Sequence, residues 1–149
     1  MEILETYPGL NLDEVALAIS VQRTAAKHHL RALERMGEVH RLRWGRHTLH
    51  FPRSLPASDR ILFCLFRVPS LLGVALELAA EPRLDRRALA AKLQVTPRTI
   101  RRALRLLERH GLVRIEPARE GPVATLHPRL RVLLARERPF VAAGQKDIP

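Results

Sequence analysis

The chain has 149 residues, 46% of them hydrophobic, and its 26 basic and 15 acidic residues give a net charge of +11. One cysteine cannot form an internal disulfide, and 4% aromatic residues leave little with which to stack RNA bases. The charge favours a polyanionic partner. The lone cysteine, with Glu2 and Glu5 in place of the basic start of a secretory signal, favours a cytoplasmic protein.

The first third of the chain has the pattern of helices followed by a hairpin. Three helices are predicted, over residues 3–7, over residues 13–19 with Asp13 as the N-cap, and over residues 22–36. Apolar and polar residues then alternate over residues 39–43 and 47–51, on either side of Trp44-Gly45-Arg46. This alternation predicts a two-stranded hairpin with a basic tip.

An apolar stretch lies in the middle of the chain. A helix is predicted over residues 59–67 and another over residues 71–80, and Arg67, Pro69 and Ser70 interrupt the stretch. The interruption favours two buried helices over a membrane span. Because exposing so apolar a helix is costly, we expect it to lock two domains together or to form a homodimer seam through residues 57–80, rather than to line a ligand pocket.

The second half of the chain repeats the order of helices and hairpin. A helix over residues 86–93 is followed by a turn and by a helix that begins at Pro97, with Thr96 as its N-cap, and ends at Gly111. Strands over residues 112–117 and 122–126 and a helix from residue 128 to about residue 136 follow.

The helix that begins at Pro97 has two contrasting faces. At 3.6 residues per turn, its inner face consists of apolar residues and its outer face of arginines: Ile100, Ala103, Leu104 and Leu107 against Arg98, Arg101, Arg102 and Arg105. Four cations on one face repel each other, and no acidic residue interrupts the row. A polyanion explains this row better than a merely solvated surface does.

The chain contains this element twice. A shift of 74 positions places Leu30, Leu33, Glu34, Gly37 and Val39 on identical residues of the second half. We therefore predict domains over residues 1–55 and 70–135, a linker or interface helix over residues 56–69, and a flexible tail over residues 136–149. Residues 1–56 hold eight basic and six acidic residues, whereas residues 57–149 hold 18 and nine, so the second copy carries most of the net charge.

The motifs resemble those of ArsR/MarR-like winged helix-turn-helix regulators. In the first copy they are Thr24, His29-Leu30, Leu33-Glu34, Gly37, Val39 and Gly45-Arg46. The resemblance implies a mainly α fold with small β-wings, in which two winged helix-turn-helix domains in tandem are joined by an apolar linker helix. It also implies a regulator that binds double-stranded DNA in the cytoplasm, on the nucleoid, with recognition helices in major grooves and wings on the backbone.

The candidate DNA-binding residues are the outward polar residues of both recognition helices and of the wing tips. They are Gln22, Arg23, Thr24, Lys27, His28, Arg31, Arg43, Arg46, Thr96, Arg98, Thr99, Arg101, Arg102, Arg105 and Arg119. Those nearest the start of the second recognition helix are the expected base contacts, namely Thr96, Arg98, Thr99 and Arg102.

Other functions are less well supported by the sequence. His47 and His50 fall on opposite faces of a strand and His28 and His29 point apart on a helix, so we expect no metal site. No nucleophile is placed with a base, and no glycine-rich phosphate loop is present, so we expect neither a cofactor nor an enzyme. The alternative function is a winged-helix protein-interaction module in a transcription, replication or chromosome-organising complex.

Overall fold

The computed structural model describes residues 1–135, and these are mainly helical with two small antiparallel sheets. The chain divides into two units between Arg67 and Val68. The expected interface helix of residues 56–69 therefore falls on both sides of the division. The expected tail of residues 136–149 lies outside the described residues.

The first unit, residues 1–67, consists of four helices and one hairpin. In chain order these are α1 (Glu2–Thr6), α2 (Leu12–Ala18), α3 (Arg23–Arg35), β1 (Val39–Trp44), β2 (His47–Pro52) and α4 (Ala57–Phe66). The strands pair antiparallel, with Val39 opposite Pro52 and Trp44 opposite His47. A single bridge joins Leu10, ahead of α2, to His50. The hairpin follows α3 directly, as the alternation predicts.

The core of the first unit joins α1, α2 and α3 to the base of the hairpin. Its buried side chains are Leu4, Leu10, Val15, Ala16, Ala26, Leu30 and Val39. On β2, Phe51 packs against Phe63 of α4, with the ring centroids 6.4 Å apart. Gly9 has φ +85°, and a Cβ there would lie 3.0 Å from Cε1 of Phe51. Only glycine fits this close approach without strain.

The second unit, described over residues 68–135, has the same order of helices with a larger sheet. Its elements are α5 (Pro69–Ala80), β3 (Arg83–Asp85), α6 (Arg86–Leu93), α7 (Pro97–Arg109), β4 (Val113–Glu116), β5 (Val123–Leu126) and α8 (Pro128–Ala135). The strand order is β3-β5-β4, and both pairs are antiparallel. Apolar side chains of α5 and α7 fill its interior, among them Leu78, Ile100 and Leu107, each 0% exposed.

The two units share their backbone pairing after the shift of 74 residues. The bounds of α3 coincide with those of α7, and the pair Val39–Pro52 corresponds to the pair Val113–Leu126. The bridge from Leu10 to His50 corresponds to the pairing of Leu84 with Ala124. The helices ahead of α2 and α6 differ, because α1 corresponds only to the last turn of α5.

Two local predictions were wrong. Asn11, not Asp13, caps α2: its side chain accepts a hydrogen bond from the backbone N–H of Glu14, whose carboxylate accepts one from the N–H of Asn11. This reciprocal capping box satisfies two backbone donors, which a cap at Asp13 would not. Residues 83–85 form strand β3 instead of a simple lead into α6, because their backbone pairs with β5.

The apolar middle of the chain is largely buried. Of the large apolar residues of α4, α5 and their junction, only Ile61 and Val68 are exposed. This leaves little apolar surface for the homodimer seam expected through residues 57–80. Within residues 1–135, no single helix is both long and apolar enough to cross a membrane. Helices α4 and α5 meet the two criteria only when they are counted together.

Arg67 fastens the end of the first unit to its beginning. Its guanidinium donates to the carbonyl of Gly9 at 2.8 Å and to the carboxylate of Glu14 at 2.5 Å. The two side chains are only 17% and 22% exposed. Because Glu14 also closes the cap of α2, this ion pair links the residue after α4 to the start of α2.

We predict that Arg67→Ala lowers the free energy of unfolding of the first unit by about 1–3 kcal/mol, because a half-buried carboxylate and a carbonyl lose a charged donor. Urea unfolding followed by the fluorescence of Trp44, the only tryptophan of the chain, measures this unit. Arg53→Ala is the control, since Arg53 and Glu38 lie 4.0 Å apart and are 69% and 45% exposed. Equal losses in the two variants would contradict the role of Arg67.

Candidate nucleic-acid interface

The ends of α7 are fixed by local backbone chemistry. The hydroxyl of Thr96 accepts a hydrogen bond from the N–H of Thr99, and Pro97 occupies the first turn, as the sequence predicts. Gln94 takes the left-handed conformation in the turn from α6. Gly111, with φ +68°, ends the helix. These residues set where α7 starts and stops and, with its buried face, how it is rotated.

The arginine row of α7 faces solvent. Its inner face is buried, with Ile100, Ala103, Leu104 and Leu107 between 0% and 4% exposed. Arg98, Arg101, Arg102 and Arg105 are all exposed. Over residues 1–135, none of these four guanidiniums has a carboxylate within 4.0 Å. The row is therefore available to an external anion.

A groove of about 330 Å³ separates α7 from the hairpin of β4 and β5; we call it the second groove. Its cationic side chains are Arg86, Arg101 and Arg105, and Glu108 is its one acidic residue. Leu104, Ile115 and Ala124 contribute an apolar floor. A concave surface with a helix on one side, a hairpin on the other and excess positive charge suits a phosphate backbone.

The first unit has an equivalent groove of about 400 Å³ between α3 and its hairpin; we call it the first groove. Its five cations are Arg23, Lys27, Arg31, Arg41 and Arg46, and its acids are Asp13 and Glu34. Arg23 pairs with Asp13 at 2.7 Å. The two grooves thus hold net charges of +3 and +2 with histidine neutral. The charge excess of the second copy lies mostly outside its groove.

His50 is the only buried polar residue of the described chain, at 5% exposed. Its Nδ1 lies 3.1 Å from the carbonyl oxygen of Leu10 and its Nε2 lies 3.7 Å from Oε1 of Glu34. Desolvation by burial lowers the pKa of His50 and outweighs the Leu10 carbonyl and Glu34, which raise it. His50 is therefore neutral at pH 7. Among residues 1–135, no group of three or more potential metal ligands is assembled.

The grooves collect six of the fifteen candidate residues. Arg23, Lys27, Arg31 and Arg46 line the first groove, and Arg101 and Arg105 line the second. The other nine lie outside both grooves, and all fifteen are exposed except the half-buried Thr99. The hydroxyl of Thr96 caps α7 and lies 3.0 Å from the hydroxyl of Thr99, which occupies part of the hydrogen-bonding capacity of both hydroxyls.

The wing tips differ in charge. In the first hairpin, Trp44 and His47 close a two-residue turn in which Gly45 has φ +59° and Arg46 is exposed. In the second, Arg119 is exposed beside Glu120, and Arg114 lies 3.9 Å from Glu116. The first tip suits a phosphate backbone better than the second.

Sequence reasoning missed two groove cations. Arg41 lies on β1 opposite His50, and Arg86 begins α6. Arg41 could have been predicted from the sequence, because every second residue of a strand shares a face and Arg41 therefore lies on the face of β1 that includes Val39 and Arg43. The position of Arg86 depends on how α6 packs beside the hairpin, which no local pattern encodes.

A comparison with protein families covers part of the second unit. Residues 74–120 match the family model described as bacterial regulatory proteins, gntR family. Among solved structures the chain is similar to "Structure of reduced AbfR bound to DNA", at 18% identity and a TM-score of 0.44, over 61% of this chain and 69% of that one. A search of the curated proteins found no match. The second unit thus contains a winged helix-turn-helix similar to that of gntR-family regulators. The ArsR/MarR type expected from the motifs stays a prediction.

We predict that acid destabilises the first unit through His50. Because its pKa is lowered in the folded state, its contribution to stability is present above the ordinary value of about 6.5 and is lost as the pH falls. Between pH 7.5 and pH 5.5, His50→Gln should lose less free energy of unfolding than the wild type, measured by urea unfolding with Trp44 fluorescence. The exposed His47 supplies the control, since His47→Gln should keep the wild-type pH dependence. The same fall in all three proteins would refute the assignment.

Proposed function

We propose that the protein is a DNA-binding transcriptional regulator that places α7 in the major groove of double-stranded DNA and its hairpins along the backbone. The observation that carries this proposal is the exposed row of Arg98, Arg101, Arg102 and Arg105, without an ion pair in the described chain. Four like charges over two turns of helix repel each other, and DNA phosphates and guanine edges relieve that repulsion.

The proposal divides the arginines by position. Arg98 and Arg102 lie outside the second groove, toward the start and middle of α7, where side chains of a recognition helix meet base edges. Arg101 and Arg105 line the second groove and are assigned to the backbone. Because the hydroxyls of Thr96 and Thr99 are hydrogen-bonded to each other and that of Thr96 also caps α7, Arg98 and Arg102 are the stronger candidates for base contacts.

The first unit is proposed as a second winged helix-turn-helix domain with its own DNA contacts. Its α3 has the same bounds as α7 after the shift, and its groove carries five cations. The basic tip at Arg46 and the neighbouring Arg43 add backbone contacts, and Gln22, Thr24 and His28 are exposed near the start of α3. The tandem arrangement and dimer formation also belong to this proposal.

We predict that Arg98→Ala combined with Arg102→Ala weakens binding to a duplex target by at least about 30-fold, since each bidentate arginine–guanine pair contributes on the order of 1–3 kcal/mol. The melting temperature should stay unchanged, because both side chains are exposed. Gel shifts at fixed salt measure the affinity.

The control for this test is Arg83→Ala combined with Arg131→Ala, which removes the same charge from exposed positions on β3 and α8. A similar loss in the control would mean that only net charge matters. Unchanged binding by the Arg98 and Arg102 variant would contradict the proposed function.

We predict further that Lys27→Ala combined with Arg31→Ala reduces the salt dependence of duplex binding. Each phosphate contact contributes about 0.9 to the slope of log affinity against log salt, so the slope should fall by about 1.8. Fluorescence anisotropy with a labelled duplex over a range of salt concentrations measures it. An unaltered slope would show that the first groove does not touch phosphates, and would restrict DNA binding to the second unit.

A further inference from the structure

The side of α7 that faces α5 holds a further concentration of positive charge. A groove of about 570 Å³ lies there, which we call the third groove. Its charged side chains are Arg102, Arg105 and Arg109, and its lining includes no aspartate or glutamate. The third groove therefore carries a net charge of +3, whereas the second groove carries +2. Part of the positive charge that the second groove does not account for lies here.

Arg109 is the last residue of α7, and its side chain is exposed. Within residues 1–135, no carboxylate lies within 4.0 Å of its guanidinium. Arg109 follows Arg102 by seven residues, which is nearly two full turns, so both side chains leave the helix on the same side. The half-buried Ser70 of α5 lines the opposite side of the groove and contributes a hydroxyl donor. The groove is thus suited to an anion with several oxygens.

The second and third grooves lie on opposite flanks of α7. Arg101 lines only the second groove, Arg102 and Arg109 line only the third, and Arg105 lines both. Successive residues of a helix are about 100° apart, so Arg101 and Arg102 diverge to either side of Arg105. The helix therefore presents cations toward α5 as well as toward its hairpin.

The shape of DNA determines what meets each flank of such a helix. The major groove of B-form DNA is about 12 Å wide, and an α-helix with its side chains is about 10–12 Å across. A helix placed in the major groove therefore has the phosphates of one strand on one flank and those of the other strand on the other. Excess positive charge on both flanks of α7 complements both rows of phosphates.

We propose that the third groove binds the phosphate backbone of the second DNA strand, through Arg109 and the hydroxyl of Ser70, while the second groove and its hairpin bind the first strand. Arg102 lines the third groove nearer the start of α7 and keeps its place beside the base edges. This inference rests on the proposed function, since it requires α7 to lie in the major groove. It adds two contacts that the sequence motifs did not indicate, one from the last turn of α7 and one from α5.

The first test measures the salt dependence of binding to the duplex that the wild type enriches most from a random pool of about 25 base pairs. Fluorescence anisotropy with a labelled duplex gives the affinity. Arg109→Ala should lower the slope of log affinity against log salt by about 0.9, the contribution of one phosphate contact. Combined with Arg101→Ala, it should lower the slope by about 1.8, because the two side chains bind different phosphates. Arg109→Lys keeps the charge and should keep the slope of the wild type.

The control is Arg131→Ala, which removes one positive charge from an exposed position on α8 of the same unit. It should leave the slope unchanged. Arg109 and Arg131 are both exposed, so thermal unfolding followed by circular dichroism should be the same for both variants and the wild type. An unaltered slope in Arg109→Ala would overturn the proposal. An equal fall in the control would also overturn it, by reducing the effect of Arg109 to net charge.

A second arm of the test assigns the strands. Single uncharged methylphosphonate linkages are placed at successive positions of each strand of the same duplex. A linkage at the phosphate that Arg109 binds should weaken binding by the wild type but not by Arg109→Ala, and the same reasoning identifies the phosphate of Arg101. Over the base pairs that one α7 covers, the two linkages should lie on opposite strands. Two linkages on the same strand would overturn the proposal.

These outcomes separate this contact from the proposed function. A wild type that binds no duplex contradicts the proposed function and, with it, this contact. A wild type that binds duplex DNA through Arg98 and Arg102, with a slope that Arg109→Ala leaves unaltered, overturns only the contact in the third groove and leaves the regulator intact.

Discussion

Burial of one face of α7 is the constraint on which the second unit depends. Ile100, Ala103, Leu104 and Leu107 are almost fully buried, and this fixes the rotation of the helix about its axis. Because the helix repeats every 3.6 residues, the arginines between those positions then have to face solvent. Thr96 and Gly111 fix the two ends. The packing that stabilises the unit therefore also orients the arginines of α7 toward solvent.

The two units use one backbone plan for two different surfaces. In the first groove, Arg41, Thr48 and His50 occupy the positions that Ile115, Pro122 and Ala124 occupy in the second. The first groove is thus polar on its hairpin side, whereas the second is apolar there and carries its charge on the helices. Equivalent geometry with different chemistry means that the units are not interchangeable, and that any DNA site they share would be read asymmetrically.

Local rules predicted helices α3 and α7 and failed where distant segments meet. Both α3 and α7 were predicted to within about two residues, because periodicity, a cap and a terminal glycine all act over a few positions. The cap of α2 was misassigned, since Asn11 and Asp13 are both good caps and the return contact of Glu14 decides between them. Strand β3, the burial of His50 and the cations Arg41 and Arg86 all depend on pairing or packing across the unit. The base-contacting residues stay a prediction.

The unequal lengths of α1 and α5 decide how each unit completes its core. The twelve residues of α5 bury five apolar side chains, whereas the five residues of α1 bury only Leu4. A domain of this size gains little from its core beyond what ordering the chain costs. The first unit therefore depends on the contact between Phe63 of α4 and Phe51 of β2, which adds to its core an aromatic pair that α1 does not supply.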